Sequence, residues 1–311
     1  MKNPLLRKKN IRKVTTFFNT DSGIRYIPYG LGARYISWIC RKKKVQRRFF
    51  GKKLPIIREF LESFPGRWDE EEMMAGFFTL NYLHGWRSSS ISNMRDFNFR
   101  RRSRIHGMES FKRAYDKGKG VILLGSHYGL PAVSFSSIPR LGFKDFHTIL
   151  GEKGAGSVKF KGIRPSLQPK ILVFKRQGES DAFSLLFEAK EVLEQGHILH
   201  LLGDGGHGRA SHNLSFLGKV KAYRSTFAEL SLLTGAPIIP IFITPSGGKI
   251  DIVFEKAVES GDETMEREER VRIILENYSA LLEQKWMENP SFINGGFMEM
   301  YNRQIPYQEE G

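Results

Sequence analysis

Two short segments of the chain carry residues whose types suit proton transfer. The first reads GVILLGSHYGLP from Gly120 to Pro131: an apolar run ends at Gly125, and Ser126, His127, Tyr128 and Gly129 follow before a proline. An imidazole titrates near neutral pH, which suits a general base that removes a proton from an attacking hydroxyl. The second reads ILHLLGDGGHG from Ile198 to Gly208, again an apolar run passing into an acid and a glycine-rich turn. Asp204 has three readings there: it orients an imidazole, binds a substrate hydroxyl, or caps its own turn. The candidates for binding substrate are Ser126, Tyr128 and Gly129 on the first loop and Gly205, Gly206, His207 and Arg209 on the second.

Other chemistries fail on spacing. The pentapeptide from Gly125 to Gly129 has the outline of a nucleophile elbow, but that turn needs serine at its centre, where His127 stands. No HExxH, CxxC or Walker-type loop occurs, so neither a zinc hydrolase nor a nucleotide kinase has support, and strand and loop spacing would scatter His197, His200, His207 and His212 with no cysteine to assist them as metal ligands.

These residues need a frame that brings strand ends together. Short apolar runs predict strands at 121–124, 146–150, 171–174, 198–202, 238–243 and 250–254, alternating with amphipathic helices at 108–116, 181–195, 225–234 and 263–287. Gly118, Gly196 and Gly235 stand where left-handed helix caps are expected. This alternation implies an α/β fold with a mainly parallel central sheet flanked by helices, in which ligands bind beyond the carboxyl ends of the strands. Before it, apolar spacing predicts helices over 54–64 and about 69–83, with a loop at Ser88, Ser89 and Ser90. The expected organisation is a basic arm over 1–53, a helical lead-in over 54–100 and an α/β domain over 101–311.

The net charge of +16 is confined to one segment. Residues 1–53 hold sixteen Lys/Arg against one acid, Asp21, whereas the rest of the chain holds 33 bases and 32 acids. That charge is interleaved with Phe17, Tyr26, Leu31, Tyr35, Trp38 and other apolar residues, the mix expected at an anionic membrane surface. No recognition motif for nucleic acid accompanies it. No run of about 20 apolar residues predicts a membrane span, and no secretory signal is evident. The single cysteine, Cys40, excludes an intramolecular disulfide, fits a reducing compartment and reads as a small buried hydrophobe.

Taken together, IHGMESFKRA (105–114), KGKGVILLGSH (117–127), LLGD (201–204), SFLG (215–218) and FAELSLLTGAPIIPIF (227–242) resemble the lauroyl/myristoyl acyltransferases of lipid A biosynthesis, within the lysophospholipid acyltransferase superfamily. The resemblance spans about residues 50–285. It implies an enzyme at the cytoplasmic face of the inner membrane that moves a fatty acyl group from acyl carrier protein or coenzyme A to a glycolipid or lipid hydroxyl. It further implies His127 as base, held by an acid five positions later, and no metal or tightly bound cofactor. That position is Ala132, and the segment from Asn289 to Gly296 lacks the family's proline-to-tryptophan ending. Either another acid, Asp204 first, orients His127, or the chain is a silent or altered homologue that binds lipid or the acyl carrier.

Overall fold

The computed structural model describes residues 8–152, 164–174, 179–205 and 212–306; of these, the side chains of 8–12 and 179–182 are not described. Gly206, His207 and Arg209, three of the substrate-binding candidates, lie outside the described residues.

The chain forms a seven-stranded sheet flanked by helices. Its strands are β1 (Ser103–His106), β2 (Val121–Gly125), β3 (Phe146–Gly151), β4 (Lys170–Phe174), β5 (Ile198–Leu202), β8 (Ile238–Ser246) and β9 (Lys249–Phe254). They lie in the order β1-β9-β8-β2-β5-β3-β4, and only the β8/β9 pair is antiparallel. The six strands expected from apolar runs are all present; β1, too short and polar to stand out, is additional.

β2 and β5 hold the centre because nearly every residue on both their faces is apolar and buried. Burying each such Val, Leu or Ile side chain contributes roughly 1.5–3 kcal/mol, which makes this pair of strands a rigid base for the loops that leave it. The one polar intrusion, His200 in β5, is satisfied: Nδ1 lies 3.0 Å from Thr148 Oγ1 and Nε2 lies 3.3 Å from Ser134 Oγ.

The four helices expected within the α/β region are observed as Met108–Tyr115, Glu179–Glu194, Thr226–Thr234 and Arg267–Glu288. Gly118, Gly196 and Gly235 take positive φ, as helix-ending glycines do. A separate hairpin, β6 (His212–Phe216) and β7 (Lys219–Tyr223), turns at Leu217 and Gly218, both at positive φ. An L-residue such as Leu217 rarely adopts that conformation, so sequence reasoning had no turn signal to find.

Upstream, the helices are α1 (Lys8–Phe18), α2 (Asp21–Tyr26), α3 (Tyr29–Cys40), α4 (Lys43–Phe50), α5 (Leu54–Glu62), α6 (Glu70–Asn81), α7 (His84–Ser92) and α8 (Asp96–Arg102). The expected loop at Ser88–Ser90 is instead part of α7. Its serines are drawn inward by packing, with Ser90 and Ser92 buried and Ser136 donating to Ser92 Oγ at 3.0 Å, and tertiary contact overrides their weak helix propensity. Tyr29, Ile36, Ile39, Cys40 and Val45 enter the main core, and burial pushes the Cys40 thiol up to about 12. The basic residues of α2–α4, among them Arg25, Arg34, Lys42 and Lys44, remain outside. α6 packs on the turn Pro290–Phe292 and α7 on the turn Pro131–Val133 just beyond His127, so this helical layer lies against the loops that leave the sheet.

Candidate active site

β2 and β5 are parallel neighbours with Gly125 opposite Leu202. His127 and Asp204 each lie two residues beyond those last paired positions, on the same rim. The sheet contact continues one step further, because Gly203 donates its N–H to the Gly125 carbonyl at 2.9 Å. Tyr278, from the helix Arg267–Glu288, donates its hydroxyl to that same carbonyl at 3.0 Å. A Cβ at position 203 would stand 2.8 Å from the Tyr278 ring, so the approach requires glycine.

Asp204 grips the histidine at two points. Its Oδ2 accepts the backbone N–H of His127 at 2.7 Å, and its Oδ1 lies 2.8 Å from Nδ1. The carboxylate is 1% exposed and the His127 side chain 35% exposed. With Nδ1–H donating to the carboxylate, the lone pair of the neutral ring stands on Nε2, the atom left for external chemistry. A carboxylate on Nδ1 fixes the ring's orientation and stabilises the imidazolium when Nε2 accepts a proton. Turn capping alone, one of the sequence readings of Asp204, does not describe this arrangement.

The loop around His127 is held from the far side of the sequence. Gly129, at φ +76°, donates to Phe292 O at 2.8 Å, and a Cβ there would stand 2.2 Å from Ile243 O. Tyr128 is buried and donates its hydroxyl to Asn289 O at 3.2 Å; burial raises its phenol well above the usual range. Ser126 is buried too, its hydroxyl accepting the Tyr128 N–H at 3.3 Å. These three candidates thus sit against protein rather than on the open face of the loop, whereas Gly205 is half-buried beside Asp204.

Ala132 lies in the single turn Pro131–Val133, half-buried, and carries no group that could hold an imidazole. The segment from Asn289 to Gly296, the other departure from the family pattern, is the one that seats Tyr128 and Gly129. It leads into a final helix, Gly295–Asn302, whose Phe297 stacks on the His127 ring with centroids 4.5 Å apart and planes at 26°. Phe297, Tyr278 and Lys221, which donates to Asp204 O at 3.2 Å, escaped sequence reasoning. A phenylalanine in an unremarked helix carries no chemical signature.

A cavity of about 900 Å³ opens beside this loop, lined among others by Arg41, Arg47, Arg58, Trp68 and Glu72. His127 does not line it, but Asn289 and Ser291 form part of its wall. The histidines at the opposite end of the sheet do not approach the site: His147 and His197 stack on each other with centroids 5.4 Å apart. Among the described residues, no three His, Cys, Asp or Glu side chains gather as metal ligands.

A buried carboxylate holding a half-buried imidazole at a strand-end rim is an arrangement that can move a proton. In comparison with known proteins, residues 86–290 match the family described as bacterial lipid A biosynthesis acyltransferase. No individual curated protein matches the chain. The match covers well over half of the 311 residues, and the chain belongs to the bacterial lipid A biosynthesis acyltransferase family.

Proposed function

We propose that the protein is an O-acyltransferase that moves a fatty acyl group from an acyl thioester, on acyl carrier protein or coenzyme A, to a hydroxyl of a glycolipid or lipid. His127 Nε2 takes the proton from the acceptor hydroxyl as its oxygen attacks the thioester carbonyl. The C–O bond forms, the C–S bond breaks, and the departing sulfur takes the proton back from the imidazolium. Asp204 keeps the ring turned and offsets its transient charge, the task that the position of Ala132 leaves vacant. The observation that carries this reading is the pair of contacts, 2.7 and 2.8 Å, by which Asp204 holds both the backbone and the ring of His127.

The enzyme works in this reading as a peripheral protein at the cytoplasmic face of the inner membrane. Among the described residues no helix is long and apolar enough to cross a membrane. The basic helices expose Tyr26, Leu31 and Trp38 among their cations, a composition that favours an anionic lipid surface.

The test is His127→Ala, assayed as thiol released from lauroyl-coenzyme A and from lauroyl-acyl carrier protein with a lipid A precursor as acceptor. A folded variant should lose roughly 10²- to 10⁴-fold in rate. Absence of transfer in the unaltered protein with both donors, together with retained binding of either, would favour the silent homologue suggested by Ala132.

A further inference from the structure

Lys221 is the one buried cation of the β6/β7 hairpin, and the mechanism above makes no use of it. It occupies the middle of β7, where residues 221 and 223 face inward and 222 faces out. Tyr223 suits that face; a lysine does not, since desolvating an ammonium is costly unless something compensates it. Its cross-strand partner is Leu214, which is also buried. Lys221 is 2% exposed, and among the described residues no carboxylate lies within ion-pair distance of its Nζ. What it does contact is the site: Nζ donates to the Asp204 carbonyl at 3.2 Å and lies 3.9 Å from the centre of the Tyr223 ring.

We propose that Lys221 is a positioning residue of the His127–Asp204 pair, pinning the Asp204 main chain while its ammonium supplies the positive charge behind that carboxylate. The inference rests on the reading of the pair as the catalytic centre. A charge-assisted bond to the carbonyl fixes the peptide from which the carboxylate projects, and the carboxylate fixes the ring. The pair here bridges two separate loops, 77 residues apart, instead of two residues one helical turn apart. Such a pair needs an anchor on the acid's own loop, and Lys221 provides one from the hairpin.

The charges around Lys221 favour a pH-sensitive anchor. Burial lowers its ammonium to about 8, and the negative charge of Asp204 opposes that fall. Of the other titratable groups nearby, Tyr223 on its own strand lies against the ammonium, and Tyr278 and Glu283 on the helix Arg267–Glu288 act on Tyr223. Both phenols are raised well above their ordinary value by burial and stay neutral. The Glu283 carboxyl, raised by burial, accepts the Leu217 N–H at 2.7 Å. Lys221 is therefore the group of this cluster that changes charge just above neutrality, and its deprotonation removes the positive charge that strengthens the bond to the Asp204 carbonyl, leaving a weaker neutral N–H donor.

The test compares the intact protein with Lys221→Met and Lys221→Arg, measuring thiol release from lauroyl-coenzyme A from about pH 6 to 10, a range that spans the lysine shift. Lys221→Met should lower kcat by roughly tenfold to a hundredfold, as a misplaced catalytic group does, with KM little changed, and should erase the alkaline fall in rate. Lys221→Arg should keep the rate and carry that fall to higher pH, since guanidinium stays charged. Because Lys221→Met threatens the fold, a second measurement uses the unaltered full chain: the ¹⁵N resonances of the His127 ring should move as Lys221 titrates. A loss of rate that is uniform across pH and not rescued by arginine overturns the proposal, as does a His127 resonance that ignores the lysine. Retained transfer in His127→Ala instead sinks the catalytic reading itself, while the resonance coupling is scored independently of turnover.

Discussion

The Phe297 ring lies against the imidazole of His127, 4.5 Å between centroids and 26° from parallel, so the final helix covers one face of the ring. Together with Asp204 on the Nδ1 edge, this leaves Nε2 as the open side. Phe297→Ala should free the ring to tilt without breaking the core, because Phe297 is only half-buried. Aromatic pairs contribute about 0.5–1.5 kcal/mol beyond their area, which corresponds to a fall in kcat of roughly twofold to tenfold. Steady-state rates with an unchanged melting curve would check it; Phe297→Leu should recover part of the loss.

Asp204→Asn should be far more damaging than its near-isosteric shape suggests. The carboxylate accepts from two donors, one on each oxygen. An amide has a single acceptor oxygen, so whichever way it is turned one N–H faces an NH₂ group. The imidazolium also loses its counter-charge, and kcat should fall by roughly 10²- to 10⁴-fold with smaller change in KM. Adding Ala132→Glu to that variant tests whether an acid at the vacant position restores function. A silent Asp204→Asn would return Asp204 to a turn-forming role and leave His127 without an orienting acid.

His127 and Asp204 were legible because each ends an apolar run, and adjacent parallel strands carry such ends to one rim. What apolar runs do not encode is strand adjacency. That β2 lies beside β5 follows from helices and loops far along the chain, and so does the contact between the pair. The roles of Phe297 and of the segment from Asn289 to Gly296 were invisible for a related reason: Phe297 acts by stacking on His127 and the segment by seating Gly129 and Tyr128, and neither leaves a residue-type signature. Lys221 was hidden by its own charge. A lysine in a hairpin reads as a solvated residue, and only the inward phase of β7, set by the turn at Leu217 and Gly218, buries it.

Stability should decline on mild acidification because of two histidines outside the site. Burial lowers His200 to about 3, and burial together with the neighbouring Lys170 and His197 charges lowers His147 to about 4, against an ordinary value of 6.5. Both are neutral in the folded protein at pH values where the unfolded chain takes up protons. Their contribution is thus complete above about pH 6.5 and is lost as pH falls toward the folded values. For fully buried His200 the loss approaches about 1.4 kcal/mol per pH unit. Urea midpoints at pH 7.5 and at about pH 5 should show the decline. His147→Phe, which keeps a ring against His197 and removes two ring nitrogens that lack hydrogen-bond partners, should make it shallower.

Membrane attachment is best tested by reversing charge rather than by removing the basic segment. Deleting residues 1–53 would take Tyr29, Ile36, Ile39 and Val45 out of the main core, and loss of membrane recovery would then report unfolding as readily as loss of an anchor. Arg25, Arg34 and Lys42 are exposed, and they lie among Tyr26, Leu31 and Trp38, with the Arg25 guanidinium over Tyr26 at 5.7 Å and the Lys42 ammonium over Trp38 at 5.6 Å. Each Lys or Arg near an anionic surface contributes about 1 kcal/mol. Changing all three to Glu should therefore weaken binding to vesicles containing phosphatidylglycerol by roughly a hundredfold or more, and leave binding to neutral phosphatidylcholine vesicles at its low baseline. Raising the salt concentration should release the unaltered protein in the same way, since exposed charges are screened within a few ångströms at high ionic strength. Leu31→Ser with Trp38→Ser separates the two contributions: if aromatic insertion matters, this pair weakens binding at every salt concentration, whereas the charge variant loses its defect as salt rises. A triple variant that sediments with anionic vesicles at low salt as fully as the unaltered protein would remove these helices from the membrane contact and move the search to another face.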